Sequence, residues 1–259
     1  MKRLTLLLSL LFALLLPGQS WAGLTQISVV KGYAAASGTT VSCTVGGTSG
    51  ALNVLAGDLL VAHTGWQGAV SSDTAEVDES DDTDTFTTPA AGKFVQASDI
   101  GSAVSYLIVA ADDSSFTPRF NLSPAGTRRW IGVEQFRPDA GETVTEDGVN
   151  AAGGSSTSLN SGNITTTGTD EVVVGGGGEA NSGPMTALQI NSVNADGSAI
   201  STPDEFYGIW YRILTATFTN GASTATTTGI DNWAGSIIAF KSAAAGGAET
   251  FGFRRRVPQ

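Results

Sequence analysis

Side chains able to do chemistry concentrate in two stretches of this sequence. The first is residues 71–84, S-S-D-T-A-E-V-D-E-S-D-D-T-D, its most acidic run. Asp78, Glu79, Asp81, Asp82 and Asp84 offer hard oxygen ligands, and Ca²⁺ takes about six to eight of them. The run lacks the glycine that gives an EF-hand loop its sharp turn. A solvated acidic loop is therefore the simpler expectation, with Ca²⁺ the one cofactor left open. Glu76 and Asp78 fall on one strand face, and a retaining glycosidase needs two carboxyl groups about 5 Å apart. Ser80 follows on that face and no apolar flanks hold the set, so the preorganisation such an enzyme needs is missing. Glu134 is the remaining carboxylate considered for that chemistry.

The second stretch is residues 205–217, E-F-Y-G-I-W-Y-R-I-L-T-A-T. In a strand, Tyr207, Ile209, Tyr211 and Ile213 share the face that fits a core, leaving Phe206, Gly208, Trp210 and Arg212 on the other. Sugar rings stack on exposed aromatics, so Trp210 with Arg212, and Trp66 beyond His63, are the candidate ligand-binding residues; core packing is the competing fate of any tryptophan. His63 is the only histidine and Cys43 the only cysteine. A multi-histidine metal site and an intrachain disulfide are thereby excluded. No Gly-x-Ser-x-Gly elbow occurs, and the glycine run 175–178 is not followed by the Gly-Lys-Ser/Thr of a phosphate loop. No catalytic residue is assigned.

These residues need positioning elements, and the ends of the chain come first. Residues 1–22 read as a secretory signal peptide: Lys2 and Arg3, an apolar run over 4–16, then Ser20-Trp21-Ala22 before the cleavage point. The run is shorter than the roughly 20 residues that span a bilayer. The expected mature chain carries no integral membrane segment. The formal charge is −11 from 13 basic and 24 acidic residues. Without Lys2 and Arg3, 11 basic residues remain and the charge is about −13, which argues against nucleic-acid partners.

After residue 22 no long helical periodicity occurs. Short apolar runs separated by Gly, Ser, Thr, Asn and Asp predict an all-β sandwich. Strands are expected at 24–30, 40–45, 58–63, 102–110 and 128–136, with an edge strand at 119–123. A long crossing follows over 137–168, with only short strands near 142–146 and 161–167. Further strands are expected at 171–175, 186–193, 205–217, 223–228 and 232–241. Residues 232–241, N-W-A-G-S-I-I-A-F-K, are apolar on both faces: Trp233, Ile237 and Ala239 on one, Ala234, Ile238 and Phe240 on the other. That pattern belongs to a strand buried on both sides.

The halves also echo one another. Asp58-Leu59-Leu60-Val61, Tyr106-Leu107-Ile108 and Trp130-Ile131-Gly132 in the first match Glu171-Val172-Val173-Val174, Tyr211-Arg212-Ile213 and Trp233-Ala234-Gly235 in the second. This points to a pseudo-twofold sandwich in which each half supplies equivalent strands to two facing sheets, an organisation that a jelly roll has.

The order Gly-Asp-Leu-Leu-Val, Trp-x-Gly-x-x-x-Phe, Pro138-Asp139-Ala140, Thr-Asp-Glu-Val-Val-Val-Gly-Gly and a last strand ending Ala-Phe-Lys resembles jelly-roll β-sandwich modules. These occur in secreted and surface bacterial proteins and among phage structural proteins. The resemblance spans nearly the whole mature chain and departs from the pattern at residues 71–84. It implies a single antiparallel jelly-roll-like β-sandwich over 23–241, with a Gly/Ala- and Arg-rich tail over 242–259. It also implies a secreted, non-catalytic module at the cell surface, outside the cell or in the periplasm, serving adhesion, glycan contact or structural assembly. The partners expected are glycans or other surface proteins, and a homo-oligomer is compatible. The alternative is a jelly-roll glycoside hydrolase.

Overall fold

The computed structural model describes residues 23–34, 37–43, 51–68, 73–80, 84–96, 99–180, 183–200 and 206–244. The expected signal peptide and most of the C-terminal tail lie outside them. The first half of the chain forms β1 (Leu24–Ala34), β2 (Gly38–Ser42), β3 (Leu52–Val54), β4 (Leu59–Gln67), β5 (Thr74–Glu79), β6 (Lys93–Gln96), β7 (Ile100–Ile108), β8 (Asp113–Phe116), β9 (Pro118–Gly126) and β10 (Arg128–Pro138). The second forms β11 (Glu142–Ile164), β12 (Glu171–Glu179), β13 (Thr186–Ile190), β14 (Val193–Asn194), β15 (Gly197–Ile200), β16 (Tyr207–Leu214) and β17 (Gly221–Ala244). The fold is all-β and every strand pairing is antiparallel. The expectation of a jelly-roll-like sandwich holds at the level of two packed antiparallel sheets.

Those two sheets divide the chain cleanly. One runs β1-β10-β4-β7-β6, and the other carries β11-β17-β12-β16-β15 with β13 and β14 beside β17. Each half thus builds one whole sheet, where the sequence reading expected each to supply strands to both. With β13 and β14 set aside, the order is the same in both: first strand, last strand, second, fourth, third. Registers match as well. Tyr106 lies opposite Val61, itself opposite Glu134; Tyr211 lies opposite Val174, itself opposite Ile238. Leu24 faces Pro138 where Val144 faces Ser242, and a bulge between Gln26 and Ser28 in β1 recurs between Glu146 and Gly148 in β11.

This register corrects one sequence match. Trp130 is equivalent to Ala234, not Trp233, and Phe136 to Phe240. A one-residue slip turns a side chain to the opposite face. Trp130 points into the seam between the sheets, with Leu59, Val61, Phe136, Val172, Val174, Tyr207 and Phe240. Trp233 points away, into a separate core with Trp210, Ile237 and Ala239. The two-sided pattern expected at 232–241 holds: Ala234, Ile238 and Phe240 enter the seam, and the alternate residues the outer core.

Three layers of burial follow. The outer face of the first sheet is covered by β2-β9-β5 and β3-β8, which lay Phe116 and Phe120 against Leu60, Ala62 and Trp66. The outer face of the second is covered where β11 and β17 run on and fold back with β13, bringing Leu159, Ile164, Met185 and Phe218 over Trp210. Several strand expectations change, and the strand expected at 186–193 is broken into β13 and β14 by a turn at Asn191 and Ser192. Residues 74–79 form a strand, not a loop. The 119–123 segment becomes β9, which is central to its sheet rather than an edge. The weak crossing over 137–168 is mostly the 23-residue β11. The strands at 223–228 and 232–241 fuse into β17, which continues past Lys241 to Ala244.

Candidate functional site

Alternation in β5 decides where its carboxylates go. Ala75, Val77 and Glu79 are buried against the first sheet, and Thr74, Glu76 and Asp78 face outward. The neighbouring β9 does the same with Phe120 and Leu122 inside and Arg119, Asn121 and Ser123 outside. In register, Thr40, Asn121 and Glu76 form one row across three strands, and Ser42, Arg119 and Asp78 form the next. Residues directly opposite on one face sit about 5 Å apart, so each row is a continuous polar ladder.

Asp78 anchors the lower row. Arg119 donates to it through Nε at 2.9 Å and Nη2 at 2.8 Å, and Asn121 Nδ2 donates to Oδ2 at 2.8 Å. This is the planar fork geometry that fixes both partners. Above it, Thr39, Thr40, Thr74, Glu76, Asn121, Leu122 and Ser123 line an open groove of about 250 Å³. The structure brings Glu76 and Asp78 onto one face as the sequence predicts. It supplies the apolar flanks that reading found missing, since Ala75 and Val77 hold the strand down. Arg119, Asn121 and Thr40 were missed, although the alternation Arg119-Phe120-Asn121-Leu122-Ser123 carried the signal.

The other candidates are dispersed. Asp78 and Glu79 are neighbours on opposite faces, Glu79 being buried, while Asp84 accepts the Glu79 amide through its backbone carbonyl at 3.0 Å. Asp81 and Asp82 lie outside the described residues. Among the described residues no group of three or more acidic, histidine or cysteine side chains is arranged to hold a metal ion.

Trp66 and Trp210 are both fully buried, which corrects the outward face the sequence reading allowed for them. Trp66 Nε1 donates to Asp73 Oδ2 at 2.7 Å and its ring meets Phe120. Trp210 Nε1 donates to the Gln189 carbonyl at 3.2 Å. Neither ring offers a face to a sugar in this fold. The covering strands β5, β9 and β13, separate in sequence from the tryptophans, are the reason. Arg212 is half-buried and donates to the Ile190 carbonyl at 3.3 Å.

Glu134 lies in the seam, buried, with Oε2 accepting from Gln26 at 3.2 Å. Burial pushes its carboxyl up to about 7. His63 is sealed in the same seam, with Nε2 2.9 Å from Ser102 Oγ, which lies 3.4 Å from Ser236 Oγ. Burial drives its imidazole down to about 3, so it is neutral. A buried Ser–His pair without access to solvent is packing, not a nucleophile. Cys43 is buried and free, and burial pushes its thiol up, as expected for a small core residue. Among the described residues no helix is long and apolar enough to cross a membrane.

No family model matches this chain, and no curated protein matches it. A weak structural likeness exists to the major capsid protein P2 from bacteriophage PM2, at 10% identity over 87% of this chain and 99% of that one, with a TM-score of 0.27. A likeness at that level carries no argument about fold or function.

Proposed function

We propose that this chain is an exported, non-catalytic β-sandwich module, and that it makes glycan contact through the outward face of β2, β9 and β5. The observation carrying the reading is the in-register row Thr40–Asn121–Glu76 over a groove, braced by the Arg119–Asp78 fork. Sugar hydroxyls both donate and accept, and a carboxylate, an amide and hydroxyls at strand spacing match that chemistry. Strand-borne groups locked by their neighbours lose little freedom on binding. Asp78 has both carboxylate oxygens engaged by Arg119 and Asn121, which favours a bracing role over that of nucleophile or base.

The test is a glycan-array screen of the mature chain, with Ca²⁺ and again with a chelator. Binding that survives chelation is the expected result. Loss on chelation would transfer the contact to the acidic run, and no binding in either condition would overturn the glycan reading. The glycoside-hydrolase alternative requires Glu76-dependent release of reducing ends from a bound polysaccharide; bound saccharide that stays intact excludes it.

A further inference from the structure

We propose that this chain exchanges halves with a second copy of itself, forming a dimer in which the first sheet of one chain packs on the second sheet of the other. Three observations carry this. Each sheet comes from one unbroken half of the chain, so the halves are separable units. The seam between them is reciprocal: Tyr106 meets Phe240 edge-on at 5.0 Å, and the equivalent pair Tyr211 and Phe136 meets edge-on at 5.3 Å. Such a surface is what a self-complementary interface presents, and here it is closed within one chain. Only the turn Asp139–Gly141 joins the halves, with the Glu142 amide donating to the Asp139 carbonyl at 3.0 Å and Gly141 at φ +84°.

An open turn would carry β10 straight into β11 and present each half to a partner chain. Every seam contact would re-form between chains: the two aromatic pairs, Lys31 Nζ on the Ile200 carbonyl at 2.7 Å, and Gln67 Nε2 on the Ala180 carbonyl at 2.6 Å. Monomer and dimer then differ chiefly in the hinge and in chain concentration. Exchange requires the buried seam to open fully, so the two forms interconvert slowly and are selected during folding.

The test is refolding of the mature chain from denaturant over a range of concentrations, followed by size-exclusion chromatography with light scattering. The dimer-to-monomer ratio is expected to rise about tenfold for each tenfold rise in monomer concentration, by mass action. Isolated dimer is expected to persist on dilution until denaturant is added. Gly141→Val places a side chain in the left-handed region of the closed turn and is expected to raise the ratio roughly tenfold or more. Inserting Gly-Ser-Gly-Ser after Gly141 relaxes the closed turn and is expected to lower it, which provides the test should Gly141→Val not fold. Monomer alone at every concentration in all variants would overturn the proposal. So would a dimer that falls apart on dilution, or one whose amount ignores the hinge.

Discussion

Trp210 has no exposed surface, and its ring packs with Val173, Met185 and Trp233. Truncation to alanine removes a large ring from a closed core, and Trp210→Ala is expected to cost about 3–5 kcal/mol in denaturant unfolding. An outward platform residue would cost far less. Glu134 makes a pH prediction. Its carboxyl lies at about 7 in the folded chain against an ordinary 4.5. Between those values the folded state keeps a proton that the unfolded chain releases, so stability falls as pH rises from about 4.5 to 7 and then levels. Glu134→Gln removes that slope, and its gain over wild type should grow to roughly 3 kcal/mol by pH 8. Unfolding midpoints at pH 5 and pH 8 check it. At this scale the sequence was only partly legible. On the face expected to be core, Tyr207 and Ile209 are buried and Tyr211 is half-buried, while Ile213 is exposed; alternation fixes only which residues go together. Which face ends up outside depends on the strands that cover it, and no pattern around Trp66 or Trp210 contains them.

The glycines of β12 act at the scale of the element. A Cβ on Gly176 would lie 2.4 Å from the His63 ring, and one on Gly178 2.1 Å from that of Tyr207. On the other face, Gly177 leaves room for Leu159. The run excluded as a phosphate loop is thus a strand thinned so that both faces can be packed closely. Gly178→Ala is expected to destabilise by about 1–3 kcal/mol through overpacking of the seam, read as a lowered denaturant midpoint. The same scale explains why β5 and β11 were misjudged. The seven carboxylates of residues 71–84 mask the Ala75–Val77–Glu79 alternation that seats β5. In β11 the register shifts at three points, breaking the period that would betray a strand. Its order comes from pairing with β17, information held some 80 residues away.

The whole molecule is two equivalent sheets closed at corresponding corners by ionic clasps. In the first, buried Asp58 accepts from Arg137 Nε at 2.7 Å and Nη2 at 2.8 Å, from Gln135 at 2.7 Å and from the Leu55 amide at 2.9 Å. Burial raises this carboxyl, but Arg137 and the other donors outweigh it, and it lies below its usual range. In the second, the equivalent Glu171 and Lys241 are joined by Asp147, with Lys241 Nζ 2.5 Å from Asp147 Oδ1. Asp58→Ala strands three buried or half-buried donors and is expected to cost about 3–5 kcal/mol at neutral pH. The Asp58 contribution is present above about pH 4 and fades as pH falls, so the variant's deficit should shrink in acid. The repeat was legible in sequence from the Tyr106 and Tyr211 strands and from the acids that open β4 and β12. Its register was not, because the two tryptophans coincide in motif while lying one residue apart in the sheets. The contact surface we propose is the ladder on β2, β9 and β5. The most direct measurement is a calorimetric titration of wild type and of the Glu76→Gln/Asn121→Ala double variant with a saccharide retained on the array. Loss of two oriented hydrogen-bonding groups should weaken binding about tenfold or more while the unfolding midpoint stays within about 1 kcal/mol of wild type. Undiminished binding by a folded double variant would contradict the account.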